Sequence, residues 1–428
     1  MDQIRIEGQH CLQGEISVSG SKNAALPQMV ACLLTPGVST LRNVPDLRDV
    51  RTMADVLASL GVAVEFEDGR ATIDARGFAN SEAPYDMVRK MRASVYVLGP
   101  MLARLGQARV SLPGGCAIGP RPIDLHLRGF EALGAKISIE NGYIIADGHA
   151  LQGAEMTLEG ANGSSVGATC NVLMAAVLAP GRTVIRGAAR EPEVGEVVRM
   201  LNLMGARING ADSSTLEIDG VEALKPIVYS TIPDRIEAGT FLLAGAITGG
   251  DVMVRGARAD HMNALLDKLI QAGLEVEVLP DGVRVRQGRG LKPTSIRTLP
   301  YPGFPTDMQA QFMALLCLAA GESVVTEGIY PERFIHVAEL LRMGANIDMG
   351  RGEARVRGVE KLTGAPVMAS DLRASAALVL AGLAAQGETE ILRVYHIDRG
   401  YERIDAKLTA LGAVIEREST REGAAVAP

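Results

Sequence analysis

One phrase recurs six times along this 428-residue chain. An amphipathic stretch ends in Leu-Gly-Ala or a close variant, at Leu60-Gly61, Leu133-Gly134, Met204-Gly205, Ala272-Gly273, Met343-Gly344 and Leu411-Gly412. The steps between these glycines are 73, 71, 68, 71 and 68 residues. A second glycine precedes each of them by 23 to 28 residues, at Gly37, Gly106, Gly181, Gly249, Gly321 and Gly387. Repetition this regular makes the chain six copies of one unit, each burying its apolar face against its neighbours.

The units read alike. Each opens with an Ala/Leu/Met-rich stretch, such as Ala24–Leu34 or Ala374–Ala385, apolar on every side and so a buried helix. The first glycine ends that helix, as a C′ residue with positive φ does. A β-branched alternation follows, for example Thr183-Val-Ile-Arg or Ser323-Val-Val-Thr, and reads as a strand. An amphipathic helix comes next; Met53, Val56, Leu57 and Leu60 keep the i, i+3, i+4, i+7 spacing. A hairpin closes the unit, as at Lys136–Glu140 and Tyr143–Ala146, where Asn141-Gly142 suits a type I′ turn. The fold class is therefore α+β, built from six helix–strand–helix–hairpin repeats.

A single core stops growing at roughly 250–300 residues, so six units require at least two domains. Three repeats per domain are expected, with a first lobe over residues 22–232. The second lobe takes 233–418 together with 1–21, because the strands Ile4–Glu7 and Glu15–Ser19 are expected to complete the last repeat. Residues 419–428 read as a flexible tail. Two lobes joined by two crossings suit closure on a ligand.

Cations stand where a helix dipole disfavours them. Fourteen residues before each first glycine lie Asn23, Arg92, Gly167, Arg235, Asp307 and Arg373, and Lys22 adjoins the first of these. Ser, Thr, Asn and Asp at a helix start are ordinary caps. Lys and Arg there oppose the macrodipole at up to ~1 kcal/mol each, unless an anion is bound and amides, dipole and cations act together. Arg121, Arg333 and Arg399 stand likewise at the starts of second helices. The ligand expected is a multiply anionic small molecule. A nucleic-acid partner is excluded, because 43 basic against 50 acidic residues give a net charge of −7, whose field repels phosphate at long range.

The five cysteines are scattered and form no CxxC pair, which fits neither a disulfide framework nor a zinc site. Cys32, Cys170 and Cys317 sit in apolar helices and read as core filler. Cys116 differs. It lies in Leu112-Pro-Gly-Gly-Cys-Ala-Ile-Gly-Pro-Arg121, and a cation near a thiol lowers its pKa toward chemical use. The sequence carries no leader pattern and no run of ~18 apolar residues, so it reads as cytoplasmic, with no membrane partner.

Six stretches together closely resemble the UDP-N-acetylglucosamine 1-carboxyvinyltransferase (enolpyruvyl transferase) family. They are Ser19-Gly-Ser-Lys-Asn-Ala, Leu112-Pro-Gly-Gly-Cys, Arg121-Pro-Ile-Asp-Leu-His, Phe304-Pro-Thr-Asp-Met-Gln-Ala-Gln, Asp371-Leu-Arg-Ala-Ser and His396-Ile-Asp-Arg-Gly-Tyr-Glu-Arg. The resemblance implies the two-lobed inside-out α/β barrel of six repeats. It implies transfer of enolpyruvyl from phosphoenolpyruvate to the 3-hydroxyl of UDP-N-acetylglucosamine, through a tetrahedral ketal and without metal or cofactor. Roles follow by matching position. Lys22, Asn23, Arg121, Arg333, Arg373 and Arg399 would hold phosphoenolpyruvate. Asp307 would take the hydroxyl proton, and Cys116 would protonate the methylene carbon and can form a pyruvyl phosphothioketal adduct. Asn23, Arg92, Arg121, Pro122, Ile123, Asp124, Leu125, Ser164, Ser165, Val166, Gly167, Asp307 and Ile329 would line the UDP-sugar site. One departure is Gly163, where another member carries lysine; Arg92 would take over its contact.

The sister family that acts on shikimate 3-phosphate shares the fold and the donor. Its strand-to-helix motif begins Gly-Asp-Lys-Ser, against Gly20-Ser21-Lys22-Asn23 here, and it lacks the cysteine loop. A non-catalytic sugar-nucleotide binder on the same scaffold would have lost Cys116, Asp307, Lys22 or Arg399, and all four stand.

Overall fold

The computed structural model of the chain describes residues 2–112 and 123–419; Cys116, Arg121 and Pro122 lie outside the described residues. Each repeat delivers its elements in the expected order. The first runs through the helix Lys22–Ala31, the strand Val38–Arg42, the helix Arg48–Ser59, and the hairpin Ala63–Glu67 with Arg70–Asp74. In the second helix the expected stripe is buried: Met53, Val56, Leu57 and Leu60 are each 0% exposed. Truncating one of them, as in Leu57→Ala, costs about 2–5 kcal/mol.

Among the described residues six sheets share one four-stranded plan. The hairpin's first strand forms one edge, its second strand comes next, and the repeat's own central strand follows. A short strand parallel to that central one closes the other edge. In the first sheet that closing strand is Val228–Ser230, which pairs parallel with Val38–Arg42. Glu82–Ala83 and Glu155–Thr157 do the same for the second and third sheets. Each hairpin thus hands a strand to the next sheet, and the third hands one back to the first.

The other three repeats make the same circuit with help from the N-terminus. Ile296–Arg297 and Pro366–Met368 edge the fifth and sixth sheets. Asp2–Glu7 lies between Glu388–Leu392 and Val414–Ser419, antiparallel to both, and stands where a hairpin's second strand stands elsewhere. The second N-terminal strand does not join the last repeat as expected. Gln13–Ser17 pairs parallel with Asp251–Arg255 of the fourth repeat, Ile16 opposite Val254. The reason is topological: the fourth repeat opens this group of three, so no earlier repeat of the group supplies its edge strand.

Contacts divide the chain into two compact units, residues 19–112 with 123–233, and residues 2–18 with 234–419. Each has its own apolar core. At the centre of the first pack Lys22–Ala31, Leu98–Leu105 and Val166–Ala176; at the centre of the second pack Arg235–Ile247, Gln309–Leu316 and Leu372–Ala384. Burial on almost every side explains why these helices are apolar nearly all round; Leu98–Leu105 is the exception, with Ala103, Arg104 and Leu105 part-exposed.

Eleven of the twelve repeat glycines have φ between +67° and +130°, the left-handed region that a side chain disfavours. Gly37 is the exception. A Cβ there would sit 2.3 Å from Cγ of Pro226, so close approach rather than a left-handed turn requires the glycine. Asn141 and Gly142 both have positive φ (51° and 78°), as a type I′ turn demands.

Candidate active site

The positions fourteen residues before each first glycine fall within one residue of six observed starts. These are Lys22, Arg92, Val166, Arg235, Thr306 and Leu372, with the second and fifth beginning as 3-10 turns. Four starts are capped by neighbouring side chains. Ser21 accepts the Ala24 amide, Ser165 that of Ala168, Asp234 those of Ile236 and Glu237, and Asp371 those of Arg373 and Ala374. Capping is thus done by residues other than the cations, which leaves Lys22, Arg92, Arg235 and Arg373 for other contacts.

In the second unit two arginines converge on one carboxylate. Arg333 Nη1 donates to Asp307 Oδ1 at 2.8 Å, and Arg373 Nη2 donates to Oδ2 at 2.8 Å. The guanidinium side chains are 7% and 4% exposed, whereas the carboxylate keeps 27%. Burial pushes the Asp307 carboxyl up, but the charges of Arg373 and Arg333 outweigh it and hold the group well below the ordinary carboxylate range. The result is an ionised carboxylate with an open side, flanked by two cations able to share an anion. Tyr401, 1% exposed, stands behind Arg373, whose Nη1 donates to the phenol oxygen at 3.2 Å.

Ile329 is placed by a buried acid. Glu327 Oε1 accepts the amides of Ile329 and Tyr330 at 2.9 and 3.0 Å and the Thr298 hydroxyl at 2.6 Å; Oε2 accepts from Thr306 Oγ1 at 3.0 Å. Because Arg333 Nη1 also donates to Thr306 Oγ1, the Ile329 segment and the Asp307 centre are tied together. Arg399 ends the 3-10 turn Val394–Arg399, which packs on the helix Leu372–Ala384. Gly400 permits that approach: a Cβ there would lie 2.5 Å from Cδ2 of Leu372.

The first unit gathers most of the other candidates. Lys22 opens its helix and donates to Asp49 Oδ2 at 3.1 Å, both side chains being largely buried; Asn23 follows, half-buried. The helices Asp124–Ala132 and Val166–Ala176 pack together, which brings Ile123, Asp124 and Leu125 close to Ser164, Ser165, Val166 and Gly167. Ser164 ends a two-stranded ribbon with Glu159–Gly160, and Gly163 pairs with Gly160 in it. His126 joins these elements to Arg92. Asn171 Oδ1 accepts the Gly99 amide at 2.8 Å, so its Nδ2 is the donor, to Val95 O at 2.8 Å and His126 Nδ1 at 3.0 Å. The imidazole proton therefore sits on Nε2, which lies 3.0 Å from where a Gly167 Cβ would be. Burial, and then the Arg92 charge, lower the His126 pKa to about 3, so the ring is a neutral donor at a helix start.

Cys32, Cys170 and Cys317 are fully buried, and burial raises each thiol, Cys32 and Cys317 to about 12, so none is a ready nucleophile. Among the described residues no group of three or more His, Cys, Asp or Glu could hold a metal ion, and no helix is long and apolar enough to cross a membrane. No sequence pattern by itself marks Asp49, His126, Glu327 or Tyr401 as a site residue. His126 and Tyr401 do fall inside the quoted motifs, and that was the available signal.

Over residues 6–408 the chain matches the model of the EPSP synthase (3-phosphoshikimate 1-carboxyvinyltransferase) family. It is 54% identical over 420 residues to the UDP-N-acetylglucosamine 1-carboxyvinyltransferase of Trichlorobacter lovleyi, covering 98% of this chain and 100% of that one. To the protein of the same name from Anaeromyxobacter dehalogenans it is 55% identical over 422 residues, covering 97% and 99%. Among solved structures it is similar to the enolpyruvyl transferase NikO from Streptomyces tendae, with a TM-score of 0.88, 25% identity, and 98% and 99% of the two chains covered. EPSP synthase from Acinetobacter baumannii gives a TM-score of 0.76 at 18% identity over 98% and 100%, a likeness of fold. The architecture is that of the enolpyruvyl transferases.

Proposed function

The chain belongs to the EPSP synthase family and, within it, to the UDP-N-acetylglucosamine 1-carboxyvinyltransferases, and from that premise we propose how it works. It transfers the enolpyruvyl group of phosphoenolpyruvate to the 3-hydroxyl of UDP-N-acetylglucosamine and releases phosphate, the first committed step of peptidoglycan synthesis. The reaction takes place in the cytoplasm, and both substrates are small molecules.

Addition comes first. Asp307 takes the proton of the 3-hydroxyl, the freed oxygen attacks C2 of phosphoenolpyruvate, and Cys116 delivers a proton to the methylene carbon. A tetrahedral ketal carrying the phosphate results. Elimination follows: the new methyl group gives up a proton, the double bond re-forms, and the C2–O bond to phosphate breaks. Lys22, Arg121, Arg333, Arg373 and Arg399 hold the donor's phosphate and carboxylate. Asn23, Arg92, Ile123 to Leu125, Ser164 to Gly167 and Ile329 hold the UDP-sugar, and Arg121 and Pro122 belong with them.

The pairing of Asp307 with Arg333 and Arg373 is the observation that carries this reading. A carboxylate held so low is ionised at neutral pH but is a weak base. An arriving anion competes for the same two guanidiniums, weakens their hold, and raises the carboxylate's basicity at the moment the donor is in place. Purified protein should release phosphate only when phosphoenolpyruvate and UDP-N-acetylglucosamine are both present. Release with shikimate 3-phosphate as the acceptor instead would sink the assignment.

A further inference from the structure

Tyr401 occupies a node among the three central helices of its unit. Its oxygen lies 3.2 Å from Arg373 Nη1, 3.1 Å from Gln311 Nε2 and 2.9 Å from Thr240 Oγ1. These partners come from the N-terminal halves of Leu372–Ala384, Gln309–Leu316 and Arg235–Ile247. The chemistry of each group fixes the direction of every hydrogen bond. Guanidinium and amide nitrogens only donate, so together they use both acceptor positions of the phenol oxygen. The phenol's own proton therefore goes to Thr240 Oγ1. The Thr240 hydroxyl passes its proton on to the Ile236 carbonyl at 2.8 Å. The chain of bonds runs one way, from Arg373 to a helix backbone. Burial raises the Tyr401 pKa and keeps the phenol neutral, so it accepts from Arg373 without competing with Asp307 for its charge.

We propose that Tyr401 is a positioning residue: its hydroxyl fixes the plane of the Arg373 guanidinium so that Nη2 faces Asp307 and the anion that Arg373 is to share. The proposal rests on the roles given above to Arg373 and Asp307. Without the hydroxyl, Nη1–H is left buried and unpaired, and the guanidinium turns to satisfy it at the expense of the bond to Asp307.

Tyr401→Phe keeps the ring and removes the node. The KM for phosphoenolpyruvate should rise about tenfold, the effect of one charge-assisted hydrogen bond, while the KM for the UDP-sugar stays within about twofold. The carboxyl of Asp307, followed by NMR in the protein without substrates, should titrate at higher pH than in the unaltered chain. In an Arg373→Lys background the same substitution should add less than about twofold, because Tyr401 acts through Arg373. An unchanged Asp307 titration, or a full tenfold effect persisting beside Lys at 373, would overturn the proposal. Should Tyr401→Phe fail to fold, Thr240→Val removes the phenol's acceptor at nearly constant shape, and the Asp307 titration is read there. Absence of turnover in the unaltered protein would defeat the proposed reaction alone, since the titration needs no turnover.

Discussion

Asp307 and Arg373, 66 residues apart in the chain, meet at 2.8 Å, and Arg333 holds the carboxylate's other oxygen at the same distance. Asp307→Asn keeps the shape of the group and discards its charge, leaving two buried arginines uncompensated. Stability at pH 7 should fall by about 3 kcal/mol and kcat by at least about a hundredfold. The sign with pH follows from the direction of the shift. The folded carboxyl lies below its unfolded value of ~4, so its contribution is complete above that value and is lost as pH falls through the folded one. Urea midpoints of the two proteins should stay apart from pH 7 down to ~4 and converge only in stronger acid. Convergence already at pH 5 would contradict the ion-pair account.

The proton-donor role proposed for Cys116 predicts selective alkylation. Fosfomycin, an epoxide, should add once, to the peptide containing Cys116, when the UDP-sugar is present. Cys32, Cys170 and Cys317, fully buried with raised pKa values, should stay unmodified. Peptide mass spectrometry that finds an unmodified Cys116 peptide would refute the assignment, and Cys116→Ser should abolish labelling.

His126 should remain neutral throughout the physiological range. With a folded pKa of about 3, the ring binds no proton until well below pH 5, whereas the unfolded chain takes one up near 6.5. Stability is therefore drained as pH falls from ~6.5 toward about 3. His126→Asn should lose less stability between pH 7 and 5 than the unaltered protein. A His126 ring signal that titrates near pH 6.5 in NMR spectra would reject the buried, Asn171-bound tautomer.

Gly37 and Pro226 make a packing prediction independent of catalysis. Gly37→Ala places a methyl 2.3 Å from the proline Cγ and should cost about 1–3 kcal/mol by overpacking. Adding Pro226→Ala should recover part of that loss. Thermal unfolding of the double variant would show it, and a double variant no more stable than Gly37→Ala would reject the contact as the cause.

What could be read from the sequence divides along physical lines. Helix starts lie within one residue of the expected positions because the repeat keeps a fixed spacing to its glycines, eleven of the twelve left-handed, and apolar periodicity is local. Asp307 and Arg373 were named from motif and position. Their meeting was not foreseen, since nothing in either neighbourhood encodes a contact across 66 residues. Glu327 was missed for the same reason; it looks like one more acid at the end of a strand until Thr298, Thr306 and two amides gather on it. The closing edge strands escaped as well. Glu82–Ala83 and Ile296–Arg297 have two residues each, too few for any alternation to show. Gln13–Ser17 was legible as a strand, but its partner was not, because pairing depends on which sheet lacks an edge.

The place of Asp2–Glu7 between Glu388–Leu392 and Val414–Ser419 bears on how the molecule is made. Among the described strands this one waits longest after its synthesis, because both of its neighbours lie at the far end of the described chain. Residues 19–233 hold all the strands of their own three sheets and can complete their fold while the rest is still being translated. Until Glu388–Leu392 emerges, Ile4 and Ile6, which end fully buried, have no strand to pair with. This unit's last sheet therefore closes only after Val414–Ser419 has been made.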